Sequence, residues 1–502
     1  MKTARIIAGS LFLAVAACTP APEASVVASR EAADSSAPAE GGGQDGAGPG
    51  AATPPASDVV DVRAEGALGD GTTDDSAAVQ RALAKGLLLG RVVVFPAGRY
   101  RVESVVHVVL SASASLAIEG RDGATLVGAA AEPTDDKEIG VLDITGAGDD
   151  EASEVRISQL AVELSQTERG SLNGIYLHGG MSRVTLDGVA ARGASRWGIA
   201  VQRARSGTIT NAHAEDNRYG GVGLEASANI AVTGGVFSKN GTTPVVDGYG
   251  ISCMSSDIGP CVNVTISGVH ADSNMRKGID VHSGHQITID GNSVSGFESS
   301  GIYAVNEDPG KDVRDITITN NVVDGAGAAH YIYGIEVGAF SAASTTSGGF
   351  TVSGNTIRNT SFTTSSAVMI RNPTAPGIAP LRVAVDHNTI VNGAAPDAYI
   401  IRGDNYDVPV GEIVITDNSL SAATAAVGIG LLRASTATVA RNTIAIAAGT
   451  VAYGILVSAP ASASITDNAL SGAASYSVPI AASASQVLRT NTLRGAALPN
   501  AN

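Results

Sequence analysis

The sequence predicts an all-β chain folded as a parallel β-helix, a solenoid closed at its N-terminal end by one short capping helix. Three observations predict it. Aromatic residues make up only 4% of the 502 residues while Gly reaches 60, and Ala, Ser, Thr, Val and Ile are frequent. Such a composition suits many short strands joined by tight turns and supplies little for long helices. The other two observations are phrases that recur in a fixed order along the chain.

The first phrase is Gly-Ile-x-Val-x. It reads GIYLH from Gly174, GIAVQ from Gly198, GVGLE from Gly221, GISCM from Gly250 and GIDVH from Gly278. It continues as GIYAV from Gly301, GIEVG from Gly334, GIGLL from Gly428 and GILVS from Gly454, with AVMIR (367–371) and AYIIR (398–402) in equivalent places without the glycine. The second phrase ends in Asn and a small apolar step, as in ITIDGNSV, ITITNNVV and FTVSGNTI. Its asparagines, at 292, 321, 355, 388, 418, 442, 468 and 491, lie 23 to 34 residues apart. Each unit therefore holds two or more short strands joined by turns, where Asn can bond local backbone and accept left-handed geometry. A strand with two or three inward apolar residues cannot bury its face alone, whereas stacked coils, about 4.8 Å apart, can. A β-sandwich would not predict the same two phrases in the same order.

From the N-terminus, residues 1–17 combine a basic start (Lys2, Arg5) with an apolar run, the pattern of an export signal. LAVAAC resembles a bacterial lipoprotein signal, which implies lipidation of Cys18 and a chain anchored to a membrane, at the bacterial outer membrane, in the periplasm or at the cell surface. Residues 18–57, rich in Ala, Pro, Gly, Ser and Glu, read as a flexible tether, and 58–502 as one β-helix domain. Within DDSAAVQRALAKG the pattern predicts a short amphipathic helix: Asp74, Asp75 and Ser76 cap it, Val79 and Leu83 share a face, and Gly86 ends it. VVVFPAGRYRV follows as strand, turn at Pro96-Ala97-Gly98, and strand. A helix ahead of the first coil covers apolar core and strand edge that would otherwise be exposed.

The formal charge of −16 argues against a nucleic-acid partner held by bulk charge. It also means that an anionic polysaccharide would need a local basic groove. Cys253 and Cys261, in ISCMSSDIGPCVNV, are expected to form a disulfide stapling a short loop, since an exported protein permits one; a small buried core residue is the other reading of Cys253. No ligand set for zinc is present. Calcium on loop carboxylates such as Asp135, Asp136, Asp149, Asp150, Glu307 and Asp308 is the one cofactor expectation, and their spacing forms no defined calcium loop.

The opening GALGDGTTDD, with PAGRY after it, is similar to the N-terminal segment of pectate-lyase-like right-handed β-helix proteins, a group that includes polygalacturonases, phage tailspikes and mannuronan C5-epimerases. That resemblance covers about 45 residues, implies the right-handed fold, and gives Gly69, Asp70, Gly71, Asp74 and Asp75 structural roles.

Alternation along a strand places candidate chemistry. If Ile279 and Val281 face the core, Asp280 and His282 face solvent side by side. Stacking the phrases gives one outward column of Tyr176, Ala200, Gly223, Ser252, Asp280, Tyr303 and Glu336. A second runs His178, Gln202, Glu225, Met254, His282, Val305 and Gly338. Lys277, Arg276, Tyr249, Tyr219 and Glu307 fall near the strand ends. Mannuronan C5-epimerases carry Tyr-Gly-Phe-Asp-Pro-His on such a strand; here Lys277-Gly278-Ile279-Asp280-Val281-His282 keeps Asp and His at that spacing and replaces Tyr by Lys and Pro by Val. The resemblance implies catalytic roles for Asp280 and His282, with Lys277 or a tyrosine from a neighbouring coil, Tyr249 or Tyr303, completing the set. Substrate contacts are expected from Arg276, Tyr219, Glu225, Tyr303 and Glu307.

The expected function is that of an exported, monomeric enzyme acting on uronate-containing polysaccharide by abstraction of the C5 proton. Arg276, Lys277 and a protonated Asp280 would neutralise the substrate carboxylate, and His282 would serve as base. Returning a proton to C5 gives an epimerase; delivering it to the glycosidic oxygen gives a lyase. A glycoside hydrolase needs two carboxyls across the bond, for which Asp280 could pair with Glu225, Glu307 or Glu336. A non-catalytic binding or structural solenoid is the third expectation, supported by the Ala/Ser-rich coils of 420–500.

Overall fold

The computed structural model describes residues 58–499 apart from 130–136, 150, 165–170, 244–245, 255–256, 307–312, 328–332, 340–348, 361–365, 372–381, 395–397, 404–409, 459–461 and 483–485. Cys18, the signal and the tether therefore lie outside the described residues, as does Glu307.

The chain winds as a right-handed parallel β-helix with three strands to the coil. One sheet stacks sixteen strands, from Val59–Asp61 to Gln486–Arg489, and another fourteen, from Val106–Val109 to Ser475–Ala482. The remaining sheet runs from Asp70–Asp74 to the short pair Thr492–Leu493 and Ala496–Ala497, the one antiparallel pairing among the described strands. Core residues are those the alternation predicts: Ile175, Ile199, Val222, Ile251, Ile279, Ile302 and Ile335 are fully buried and register on one another coil by coil.

Both repeated phrases have a physical cause. A Cβ built on Gly250 would lie 2.5 Å from the Gly278 carbonyl oxygen, and one on Gly278 would lie 2.8 Å from that of Gly301. The glycines thus let one coil approach the next near the start of each of these strands in the fourteen-stranded sheet. The asparagines bond chiefly between coils, and Asn355, Asn418 and Asn442 also bond locally to the carbonyl two residues earlier, so the turn role expected of them is one part of what they do. Asn355 Oδ1 accepts from the backbone N–H and the Nδ2 of Asn321, both at 2.9 Å, and Asn355 Nδ2 donates to Ile318 O at 2.9 Å. The pattern repeats from Asn292 to Asn491. A second ladder, Asn217, Asn240 and Asn274, lines the corner that leads into the candidate site.

The capping helix spans Ser76–Leu89 and ends at Gly90, whose φ of 62° is left-handed. Gly86, expected to end it, lies inside it, because a Cβ there would come within 2.2 Å of Val93 Cγ2, where helix and first coil pack. The Asp75 carboxylate does not cap the helix by its side chain. It accepts from the N–H groups of Leu68 (2.7 Å) and Gly69 (3.0 Å), tying the GALGDG loop to the helix start. Asp70 likewise accepts from Thr72 and Thr73. These are the structural roles expected of the opening motif.

Candidate active site

The strand Lys277–Val281 lies in the fourteen-stranded sheet between Tyr249–Cys253 and Ser300–Asn306. Its register sets Asp280 between Ser252 and Tyr303, and Lys277 between Tyr249 and Ser300, matching the outward column read from the phrases. Outward does not mean exposed here. Asp280 and Lys277 are 0% and 1% exposed, and only His282, with a side chain 13% exposed, reaches the surface. The expectation of a solvent-facing Asp280 is corrected because large neighbours, Tyr249 and Tyr303, roof the column and are themselves buried.

Under that roof the charged groups satisfy one another. Lys277 Nζ donates to Asp280 Oδ1 at 3.0 Å, Ser252 Oγ donates to Asp280 Oδ2 at 2.7 Å, and His282 Nδ1 lies 2.8 Å from the same oxygen. Burial works to raise the Asp280 carboxyl, but the charges of His282 and Lys277 outweigh it and hold the group well below the usual carboxylate range. Asp280 is therefore a carboxylate, which corrects the protonated acid expected. A carboxylate only accepts, so His282 Nδ1 carries a hydrogen; when the imidazole is neutral, Nε2, 3.3 Å from Lys277 Nζ, is the ring's acceptor. The ammonium also sits 3.2 Å from the centroid of the Tyr303 ring. Lys277 is thus buried inside the cluster, rather than the surface cation expected.

Arg276, half-buried, donates to the Tyr249 hydroxyl. Burial pushes that hydroxyl far above the range of a free phenol, the Asp280 charge adds to the shift, and Arg276 opposes it. Tyr249 is a neutral O–H at any physiological pH, with its proton directed away from the arginine that occupies its oxygen.

His282 lines a cavity of about 360 Å³ that opens along the same sheet toward earlier coils. Glu225, Tyr219 and Arg276, all expected, line it, as does Gln202 of the second outward column; so do Glu138, Arg196 and Trp197, which the sequence reading missed. Trp197 registers one coil before Gly220, which itself pairs with Tyr249, so extending the column one residue upstream of each glycine would have found it. Glu138 precedes a strand, Ile139–Thr145, that lacks the recurring phrase, and no periodic signal marks it. Arg196 Nε lies 2.8 Å from Glu138 Oε1.

Cys253 and Cys261 are free, buried thiols, so the expected disulfide gives way to the core reading of Cys253. The Cys261 thiol donates to the Leu224 carbonyl at 3.5 Å. Of the carboxylates considered for calcium, only Asp149 is described, and it pairs with Arg203; no group of three His, Cys, Asp or Glu side chains among the described residues is arranged to hold a metal ion.

A solenoid of this kind, with a buried Asp–His–Lys cluster beside a cleft, defines a class, and comparison with known proteins defines the family. The family described as "Rhamnogalacturonase A/epimerase, pectate lyase-like" matches residues 59–326, more than half of the chain. The protein belongs to it. Among solved structures, a tailspike protein of E. coli bacteriophage HK620 in complex with a hexasaccharide superposes with a TM-score of 0.54 at 12% identity, covering 87% of this chain and 78% of that one. The mannuronan C-5 epimerase AlgE4 A-module of Azotobacter vinelandii gives 0.46 at 18% identity, covering 85% and 99%. The surface adhesin PfbA of Streptococcus pneumoniae gives 0.44 at 15%, covering 86% and 100%. No curated protein sequence matches the chain.

Proposed function

We propose that the protein is an exported, lipid-anchored enzyme that modifies a uronate-containing polysaccharide by removing the C5 proton of a uronate. The observation that carries this reading is the Asp280–His282 pair, with Nε2 of the imidazole as its acceptor at the edge of a cleft. Family membership supports a polysaccharide substrate, as do solved relatives described as a C-5 epimerase and as a tailspike holding a hexasaccharide.

In the proposed step the C5–H bond breaks and its proton passes to His282 Nε2. The electron pair spreads into the substrate carboxylate, whose growing charge is met by Arg276. Asp280 holds the imidazole tautomer and stabilises the imidazolium that forms, and Lys277 fixes Asp280 from its other oxygen. Tyr249 then supplies a proton. Delivered to C5 from the opposite face, it completes an epimerisation. Delivered to the glycosidic oxygen, it completes a β-elimination that leaves an unsaturated sugar.

A screen of the full chain against alginate, polymannuronate, polygalacturonate and glycosaminoglycans tests this, read by absorbance of the unsaturated product and by proton NMR in deuterated water. The expected result is a rise in absorbance, or deuterium at C5, that disappears in His282→Ala. New reducing ends without unsaturation, lost in Glu138→Gln or Glu225→Gln, would replace the reading with hydrolysis. Silence in every channel would remove it for these polymers and favour a binding solenoid.

A further inference from the structure

The two oxygens of Asp280 carry unequal loads. Oδ1 accepts from Lys277 Nζ at 3.0 Å, while Oδ2 accepts both from Ser252 Oγ at 2.7 Å and from His282 Nδ1 at 2.8 Å. Ser252 stands in register with Asp280 on the preceding strand and is 2% exposed, at the wall of the cavity that His282 lines. Ala200 and Gly223 hold the same column position in the two coils before it. The winding of the chain therefore needs no hydroxyl at this position, and the one present is aimed at the carboxylate.

A hydroxyl that donates to a carboxylate draws off part of its negative charge. Here the donation falls on the oxygen that also receives the imidazole N–H. Burial works to raise the Asp280 carboxyl; the charges of His282 and Lys277, then the hydrogen bonds from His282 and Ser252, hold it low. The less charge Oδ2 keeps, the less it favours a proton on both ring nitrogens of His282. Ser252 therefore moderates the pull of Asp280 toward an imidazolium.

The other groups around the ring act directly rather than through Asp280. Lys277 Nζ, 3.3 Å from Nε2, opposes a second proton by its charge, as do Arg276 and Arg196 from the cavity wall, while Glu138 and Glu225 favour one. Tyr249 and Tyr303 flank the imidazole at 6.4 and 5.5 Å between ring centroids. Cys253, on the core side of the Ser252 strand, has its thiol pushed up by a hydrogen bond with Cys261 and by burial, and stays neutral.

We infer that Ser252 is a positioning residue for the proposed proton abstraction. By sharing Asp280 Oδ2 with His282 Nδ1, it keeps the imidazole neutral, and so able to act as base, into more acidic solution than the Asp280–His282 pair alone would allow. The inference rests on the reading of His282 as base, and its first readout needs no substrate.

Carbon-13 labelling of histidine Cε1 in the full chain gives NMR signals for its eight histidines, and the His282 signal is the one absent from His282→Ala. Its shift is followed against pH in wild type, Ser252→Ala, Asp280→Asn and the double variant. Ser252→Ala is expected to move the His282 midpoint to higher pH, raising the ratio of protonated to neutral imidazole at a fixed pH by about threefold or more. With Asp280→Asn already present, the same change should move it far less, because the carboxylate it acts through is gone. Where a uronate is turned over, the acidic limb of kcat/KM should move up with the midpoint, so that the loss is largest at low pH. A midpoint that stays or falls in Ser252→Ala, or one that moves equally in the Asp280→Asn background, overturns the inference. The expected displacement in a protein that turns over no uronate would leave the hold of Ser252 on the imidazole standing while the proposed reaction falls. Turnover lost in His282→Ala, with a midpoint insensitive to Ser252→Ala, would do the reverse.

Discussion

Lys277 Nζ and Asp280 Oδ1 lie 3.0 Å apart, three residues from one another on a single strand, and both side chains are shut away from solvent. A buried pair of this kind costs desolvation on both sides, and removing one partner strands the other. The same carboxylate, through its second oxygen, orients His282. Stability and reactivity of this coil are therefore tied to one aspartate.

Lys277→Met should destabilise the fold by about 3–5 kcal/mol, the usual cost of leaving a buried charge without its partner. Because Lys277 does not reach the cleft, kcat should fall with KM little changed. Denaturant melts and steady-state kinetics on the substrate found in the screen check both. A large rise in KM instead would place the lysine in contact with substrate.

The Asp280 carboxyl titrates lower in the folded than in the unfolded chain, since the His282 and Lys277 charges outweigh its burial. In acid the unfolded state thus binds more protons. The contribution is fully present above the usual carboxylate range and is lost as pH falls through the folded value. The stability gap between wild type and Asp280→Asn should accordingly narrow as pH drops below about 4. Denaturant titrations from pH 3 to 7 measure it, and a gap that widens in acid would contradict the assignment.

The asparagine ladder contributes stability of its own. Asn355→Ala removes the acceptor for the Asn321 N–H and Nδ2 and the donor to Ile318 O, all buried. Each orphaned group costs about 1–3 kcal/mol. A thermal melt should show a loss of several degrees, far more than an alanine at an exposed bend asparagine such as Asn211 produces.

If Cys253 and Cys261 are core thiols, alkylation followed by peptide mass mapping should leave both unmodified in the native protein and modify both after unfolding. Reductant should leave the melting temperature unchanged. A native disulfide-linked peptide would restore the loop staple expected from the sequence.

Much of this architecture was readable before any coordinates, and its errors have specific causes. Repetition located the strands, the inward column of Ile279 and its equivalents, and the neighbours of Asp280, because alternation in a strand fixes which face a side chain takes. Alternation says nothing about what covers that face. Tyr249 and Tyr303 close over Asp280 and Lys277, so a column read as a polar surface is a buried charge cluster. The span of the helix past Gly86 was hidden for a similar reason, since contact with Val93 depends on packing between distant segments. Glu138 precedes a strand without the recurring phrase and Arg196 stands two residues before one, outside it, and only the winding of the chain brings them to Glu225.

In the proposed reaction His282, held by Asp280, removes the C5 proton of a uronate. Proton NMR of substrate incubated in deuterated water with wild-type, His282→Ala and Asp280→Asn proteins tests it most directly. With an epimerase, deuterium appears at C5; with a lyase, the C5 proton signal disappears into the unsaturated product. Either signal should vanish with His282→Ala and slow by about 10²–10⁴-fold with Asp280→Asn, as when a tautomer-fixing carboxylate is lost. Undiminished loss of the C5 proton in folded His282→Ala protein would contradict the account.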